Sequence, residues 1–134
     1  MAAALERHLL RARDLVDSRY GEPLDLRRLA REAHVSPRHF SRSFRRVFGE
    51  TPYQYLLSRR LERARYLLRT SEMSVAEICL EVGFTSVGSF TTTFRRHVGV
   101  SPTTFRQAYG GPSPADRVPL CFVKAWARQP QGSG

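Results

Sequence analysis

The stretch Ser36–Pro52, SPRHFSRSFRRVFGETP, is a complete helix specification and the template for a second copy further along the chain. Ser36 carries the short side-chain oxygen that caps a helix start, and Pro37 suits the first helical position, where its missing N–H costs nothing. Gly49 supplies a stop. Between them Phe40, Phe44, Val47 and Phe48 form one apolar stripe on a 3.6-residue repeat, and Arg38, Ser41, Arg42 and Arg45 fall on the other side. The spacing predicts a helix that buries one face and presents guanidinium forks on the opposite one, suited to phosphates and base edges.

Fifty residues later the pattern returns: Phe90, Phe94, Arg95, Arg96, Gly99 and Pro102 repeat Phe40, Phe44, Arg45, Arg46, Gly49 and Pro52. A short amphipathic segment precedes each copy, Leu26 to Ala33 and Val75 to Val82, and the turn that follows is one residue longer in the second. Each unit reads as helix, tight turn, helix, so one supersecondary element is used twice.

Charge points the same way. Lys and Arg outnumber Asp and Glu by 22 to 12, a net +10, and 21 of the 22 bases are Arg. Polyanion binding is one explanation and a merely arginine-rich soluble domain is another. Location favours the first, because Ser36 to Thr70 holds nine Arg against Glu50 and Glu62. Two cysteines, Cys79 and Cys121, are too few for a disulfide framework, and no Cys/His spacing suggests zinc. His34 and His39 lack a third ligand at suitable spacing. No P-loop, nucleophile–base arrangement or metal motif points to an enzyme, so no catalytic residue, cofactor or metal is expected. The N-terminus lacks a signal-peptide run and no stretch reaches the ~20 apolar residues of a membrane span. A cytoplasmic setting is the expectation.

An all-α domain of seven helices is expected. Ala2 to Arg19 reads as a supporting helix with Leu5, Leu9, Ala12, Leu15 and Val16 inward. Asp25 is placed to cap the next helix, whose buried side is Leu26, Leu29, Ala30 and Ala33. Thr51-Pro52 opens a long linker helix to about Arg69, with Tyr53, Leu56, Leu57, Leu61, Ala64, Leu67 and Leu68 inward and Arg59, Arg60, Arg63 and Arg65 decorating the rest. At ~1.5 Å per residue it spans roughly 27 Å, comparable to the ~34 Å between successive major-groove turns on one face of B-DNA. Ser74 and Glu77 have capping-box spacing. Thr85 or Ser86 opens the second reading helix, and Ser101-Pro102 caps a last one carrying Phe105, Arg106 and Tyr109. The expected boundaries are 5–50 for the first helix-turn-helix unit, 52–70 for the linker and 74–109 for the second unit. Residues 110–134 have linker and tail composition, interrupted by the apolar segment Pro119 to Trp126, expected to pack back on the domain.

The second unit, with Ile78 to Phe84 followed by SFTTTFRRHVGVSPTTFR from Ser89 to Arg106, resembles the DNA-binding domain of the AraC/XylS family of bacterial transcription regulators. The resemblance covers about Leu5 to Tyr109. It implies two helix-turn-helix subdomains joined by a long helix, reading adjacent major-groove segments of an asymmetric promoter site on double-stranded DNA. Base-reading positions would then be Arg38, Ser41 and Arg42 with His39 close by, and, in the second unit, Val87, Gly88, Ser89, Thr91 and Thr92. Phosphate contacts would come from Ser36, Arg45, Arg46, Ser86, Arg95 and Arg96. RNA polymerase is a further candidate partner, and a short one-domain member binding as a monomer, activating transcription, is the expected form. A fragment of a longer regulator and a non-specific nucleoid-type protein are the alternatives.

The second copy departs from the family pattern. Thr92 stands where a larger polar or Arg residue is usual, and Gly88 weakens a helix by ~1 kcal/mol relative to Ala. Arg38 and Arg42 can each fork onto guanine O6 and N7, a contact contributing ~1–3 kcal/mol of discrimination. Val87 and the threonines offer little beyond apolar contact with thymine methyls and single hydroxyl bonds. The first unit is therefore expected to supply most of the sequence specificity.

Overall fold

The computed structural model describes residues 2–110. Among them are seven helices and no strand: α1 Ala2–Arg19, α2 Leu26–Glu32, α3 Pro37–Phe48, α4 Pro52–Thr70, α5 Val75–Glu81, α6 Val87–Val98 and α7 Pro102–Tyr109. The apolar segment Pro119 to Trp126 lies outside the described residues. The chain forms two compact units that divide inside α4, one ending at Leu61 and the other beginning at Glu62. The expected linker helix thus contributes about half of its length to each unit.

Local chemistry sets each helix start. Arg28 N–H donates to Asp25 Oδ1 at 2.8 Å and His39 N–H to Ser36 Oγ at 3.2 Å. Thr51 and Gln54 cap reciprocally, as do Ser74 and Glu77, so two orphan donors are satisfied at each of these ends. Accepting the Ser74 N–H holds the Glu77 carboxyl below its usual pKa. Gly49 and Gly99 close α3 and α6 in the left-handed conformation.

The first unit packs Leu9, Ala12 and Val16 of α1 and Leu29, Ala30 and Ala33 of the α2 region around Phe40 and Phe44 of α3. The Phe40 and Phe44 rings lie 5.5 Å apart, and Phe44 meets Tyr55 at 5.9 Å. The second unit repeats this with Phe90 and Phe94 at 5.8 Å and Phe94 to Phe105 at 5.7 Å, above Ile78, Cys79 and Val82. Burial pushes the Cys79 thiol pKa up, as befits a small core residue.

The helix-turn-helix turns also correspond. His34 has φ 60 and Gly83 has φ 100, each just after its first helix, so the turn demands a left-handed residue in both units. His34 manages without glycine while its ring meets the edge of His8 at 4.8 Å.

Several side chains depart from the expected pattern. Leu26 is 40% exposed, Val47 39% and Tyr53 67%, although all three were expected inward. Each lies within its apolar stripe but in the first or last turn of its helix, where the core no longer covers it. Arg60 is not surface decoration: its Nε donates to Tyr20 O at 2.7 Å and its Nη2 to Glu22 O at 2.8 Å, clamping the end of α1. Arg106 does the same for α4, through Leu68 O at 3.1 Å and Ser71 O at 3.2 Å. Carbonyls at a helix end and in the turn beyond it lack intrahelical partners, and these two forks donate to them. Arg59 and Arg65 are half-buried as well, Arg59 lying 5.7 Å from the Tyr55 ring.

Candidate nucleic-acid interface

α3 turns its aromatic side to the core, which leaves a polar outer face by periodicity alone. Arg38, His39, Arg42, Arg45 and Arg46 are all exposed there. On α6, Val87, Gly88, Ser89, Thr92, Arg95 and Arg96 are exposed. Among the described residues, no hydrogen bond or ion pair engages the guanidinium of Arg38, Arg42, Arg45, Arg46, Arg95 or Arg96; the ion pairs of Glu22 with Arg19 and Arg28 lie away from these faces. Their forks are turned outward and uncompensated, the state in which they can engage phosphate or base edges without first breaking a protein contact.

Ser41 and Thr91, one in each unit at equivalent positions, are half-buried. Ser41 lines a groove of about 330 Å³ together with Leu24, Leu26, Leu29, Pro52, Tyr53 and Leu56. It therefore sits at the edge of the outward face of α3 and not in the middle of it. Ser36 and Ser86 are exposed, but each Oγ already accepts from the backbone three residues on, at 3.2 Å in both helices. Their hydroxyl hydrogens remain to donate.

Ser43 carried no signal in the sequence beyond falling between the two α3 phenylalanines. It is fully buried and its Oγ has no hydrogen-bond partner. Two faces of the same helix thus differ sharply: outward arginines on one side, an unsatisfied hydroxyl within the core on the other. Among the described residues no group of three or more His, Cys, Asp or Glu is placed to hold a metal ion. No helix among them is long and apolar enough to cross a membrane.

Residues 29–108 match the helix-turn-helix domain family. Similar proteins of known structure include the DNA-binding domain of AdpA, a global transcriptional factor, in complex with a target DNA. It is 36% identical, covering 81% of this chain and 95% of that one, with a TM-score of 0.73. A transcriptional regulator from Chromobacterium violaceum, described by its AraC-type DNA-binding domain, is 33% identical over 83% of this chain and 99% of that one, with a TM-score of 0.71. The transcriptional activator RhaR of Cronobacter sakazakii is 35% identical over 88 residues, 66% of this chain and 31% of that protein. The chain spans about a third of the length of the curated relatives it matches.

Proposed function

The chain belongs to the AraC-type helix-turn-helix domain family, and from that premise we propose that it is a sequence-specific, double-stranded DNA-binding transcription regulator. α3 and α6 each enter a major-groove segment, consecutive along the duplex, and the protein binds as a monomer in the bacterial cytoplasm and activates transcription. The observation that carries this reading is the set of exposed, unengaged arginines on the outer faces of two equivalent helices. The likeness to a domain seen on its target DNA supports it.

The two helices do unequal work. Arg38 and Arg42 fork onto guanines and supply most of the discrimination, with His39 beside them and Ser41 at the margin. Arg45, Arg46, Arg95 and Arg96 engage phosphates and add affinity without sequence preference, helped by the capped helix starts at Ser36 and Ser86. Such contacts make binding fall steeply with salt.

Selection of bound duplexes from a random pool, followed by binding measurements on base-substituted sites, tests this. Arg42→Ala is expected to lose about tenfold or more in discrimination at one base pair, and Thr92→Ala to lose less. Equal losses from the two variants would refute the unequal division. A shift indifferent to sequence at physiological salt would refute specific binding altogether. A promoter reporter reads the direction of regulation.

A further inference from the structure

We infer that the first turn of α6, Val87-Gly88, reads thymine 5-methyl groups, so that the half of the operator met by the second unit is specified by thymine methyls while the other half is specified by guanine edges. This rests on the proposed DNA-binding reading and deepens it to the chemistry of each half-site.

Two independent observations on α6 lead there. First, Val87 is 45% exposed at the first position of α6, where α3 has Pro37, so a branched apolar side chain is open to a facing surface in the same turn as Gly88. Second, the fold does not require glycine at position 88. Its backbone is absent from the positive-φ residues, and a Cβ built there would meet only Ser86 Oγ at 3.6 Å, an ordinary contact. Alanine would favour the helix. What glycine provides is on the outside: at the position equivalent to Arg38, α6 has no side chain, and its backbone can approach a facing surface more closely.

Thr92 stands at the position equivalent to Arg42, so both fork-bearing positions of α3 are vacated on α6. A surface made of a valine, a bare backbone and a threonine cannot grip guanine bidentately. The apolar feature on the major-groove floor is the thymine methyl. A single hydroxyl from Thr92 or Ser89 bonds to any base edge, so contact with that methyl is the discriminating readout this surface can make.

The test uses the full chain and the duplex recovered by selection, with thymidines replaced singly by deoxyuridine, which deletes only the methyl. One or two replacements in the half bound by α6 are expected to weaken binding about fourfold each, the effect of losing one buried methyl. Replacements in the half assigned to α3 by Arg42→Ala should have no effect. Val87→Ala should abolish the deoxyuridine penalty. Gly88→Ala should raise Tm by roughly 2–4 °C and yet weaken binding about fivefold or more through the crowded interface.

Tolerance of deoxyuridine throughout, with the selected duplex still preferred over random DNA, would overturn the inference and leave the DNA-binding reading standing. So would equal penalties in both halves, or a Gly88→Ala protein that is stabilised and binds as before. No preference for the selected duplex at all would instead overturn the DNA-binding reading.

Discussion

Replacing Arg60 with alanine separates an arginine that holds the fold from those on the outer faces. Its guanidinium donates Nε to Tyr20 O at 2.7 Å and Nη2 to Glu22 O at 2.8 Å, tying α4 to the turn between α1 and α2. Burial lowers its pKa, but an arginine keeps its charge at neutral pH, so both bonds are charge-assisted. A buried bond of this kind contributes about 1.5–3 kcal/mol, and because this side chain is only half-buried the pair together is expected to contribute about 2–3 kcal/mol. At a urea m-value of about 1–1.5 kcal/mol/M, Arg60→Ala should lower the unfolding midpoint by about 2 M. Arg60→Lys, with a point charge in place of a fork, should recover roughly half of that. Exposed Arg38→Ala should remain within about 0.5 kcal/mol of the parent. Circular dichroism during urea titration measures all three. If Arg60→Ala unfolds with the parent, or if Arg38→Ala loses as much, the clamp does not hold the first unit together.

Ser43→Ala removes a buried hydroxyl that has no partner and should raise stability by about 1 kcal/mol in the same titration; a loss would mean that the hydroxyl is satisfied. Gly83→Ala forces a Cβ onto a residue at φ 100 and should cost about 1–2 kcal/mol, read as a lower Tm. The depressed Glu77 pKa means that its stabilising contribution is present above the ordinary carboxylate range and is lost as pH falls through the folded value. Parent protein should therefore lose more stability than Glu77→Gln between about pH 6 and about pH 3, measured by thermal unfolding. Tyr55 behaves oppositely: burial, and its hydroxyl bond to Asp17 Oδ1 at 2.5 Å, push its pKa up to about 12. Its contribution is complete below the ordinary tyrosine value and disappears as pH rises from about 10 to about 12, and Tyr55→Phe should flatten that limb in alkaline unfolding curves.

Helix positions were legible in the sequence because capping chemistry and the 3.6-residue repeat are local. Ser36, Ser74, Ser86 and Ser101 each accept from the backbone three residues on, and no tertiary contact is needed to place them. The paired aromatics were legible because the repeat states them twice. Arg60 was not: nothing local distinguishes it from Arg63, and its partners lie 38 and 40 residues away. Tyr53 and Val47 misled for the opposite reason, since a position in a helix's terminal turn satisfies the periodicity whether or not a neighbour arrives to cover it. For the interface, periodicity correctly turned Arg38 and Arg42 outward but also placed Ser41 fully on that face, where the structure half-buries it. The groove Ser41 lines is completed by residues of other segments, Leu24 and Pro52 among them, which no local pattern announces.

Comparison of the two units separates what packing demands from what an outer face is free to become. The inner chemistry is held nearly constant: two phenylalanines four residues apart at 5.5 and 5.8 Å, a third ring at 5.9 and 5.7 Å, a left-handed residue in the turn. Close packing explains this, because one methylene too many or too few in such a core costs on the order of 1 kcal/mol. Outward positions carry no such penalty, and there the copies have diverged, with Arg38 and Arg42 in one and Gly88 and Thr92 in the other. On the proposed reading, that divergence makes the two faces chemically distinct readers on one frame. A chain with distinct readers has no reason to prefer a palindrome, and its site acquires a direction. Reversing the selected site relative to a promoter should then change the reporter output, even though the affinity for the isolated duplex is unchanged.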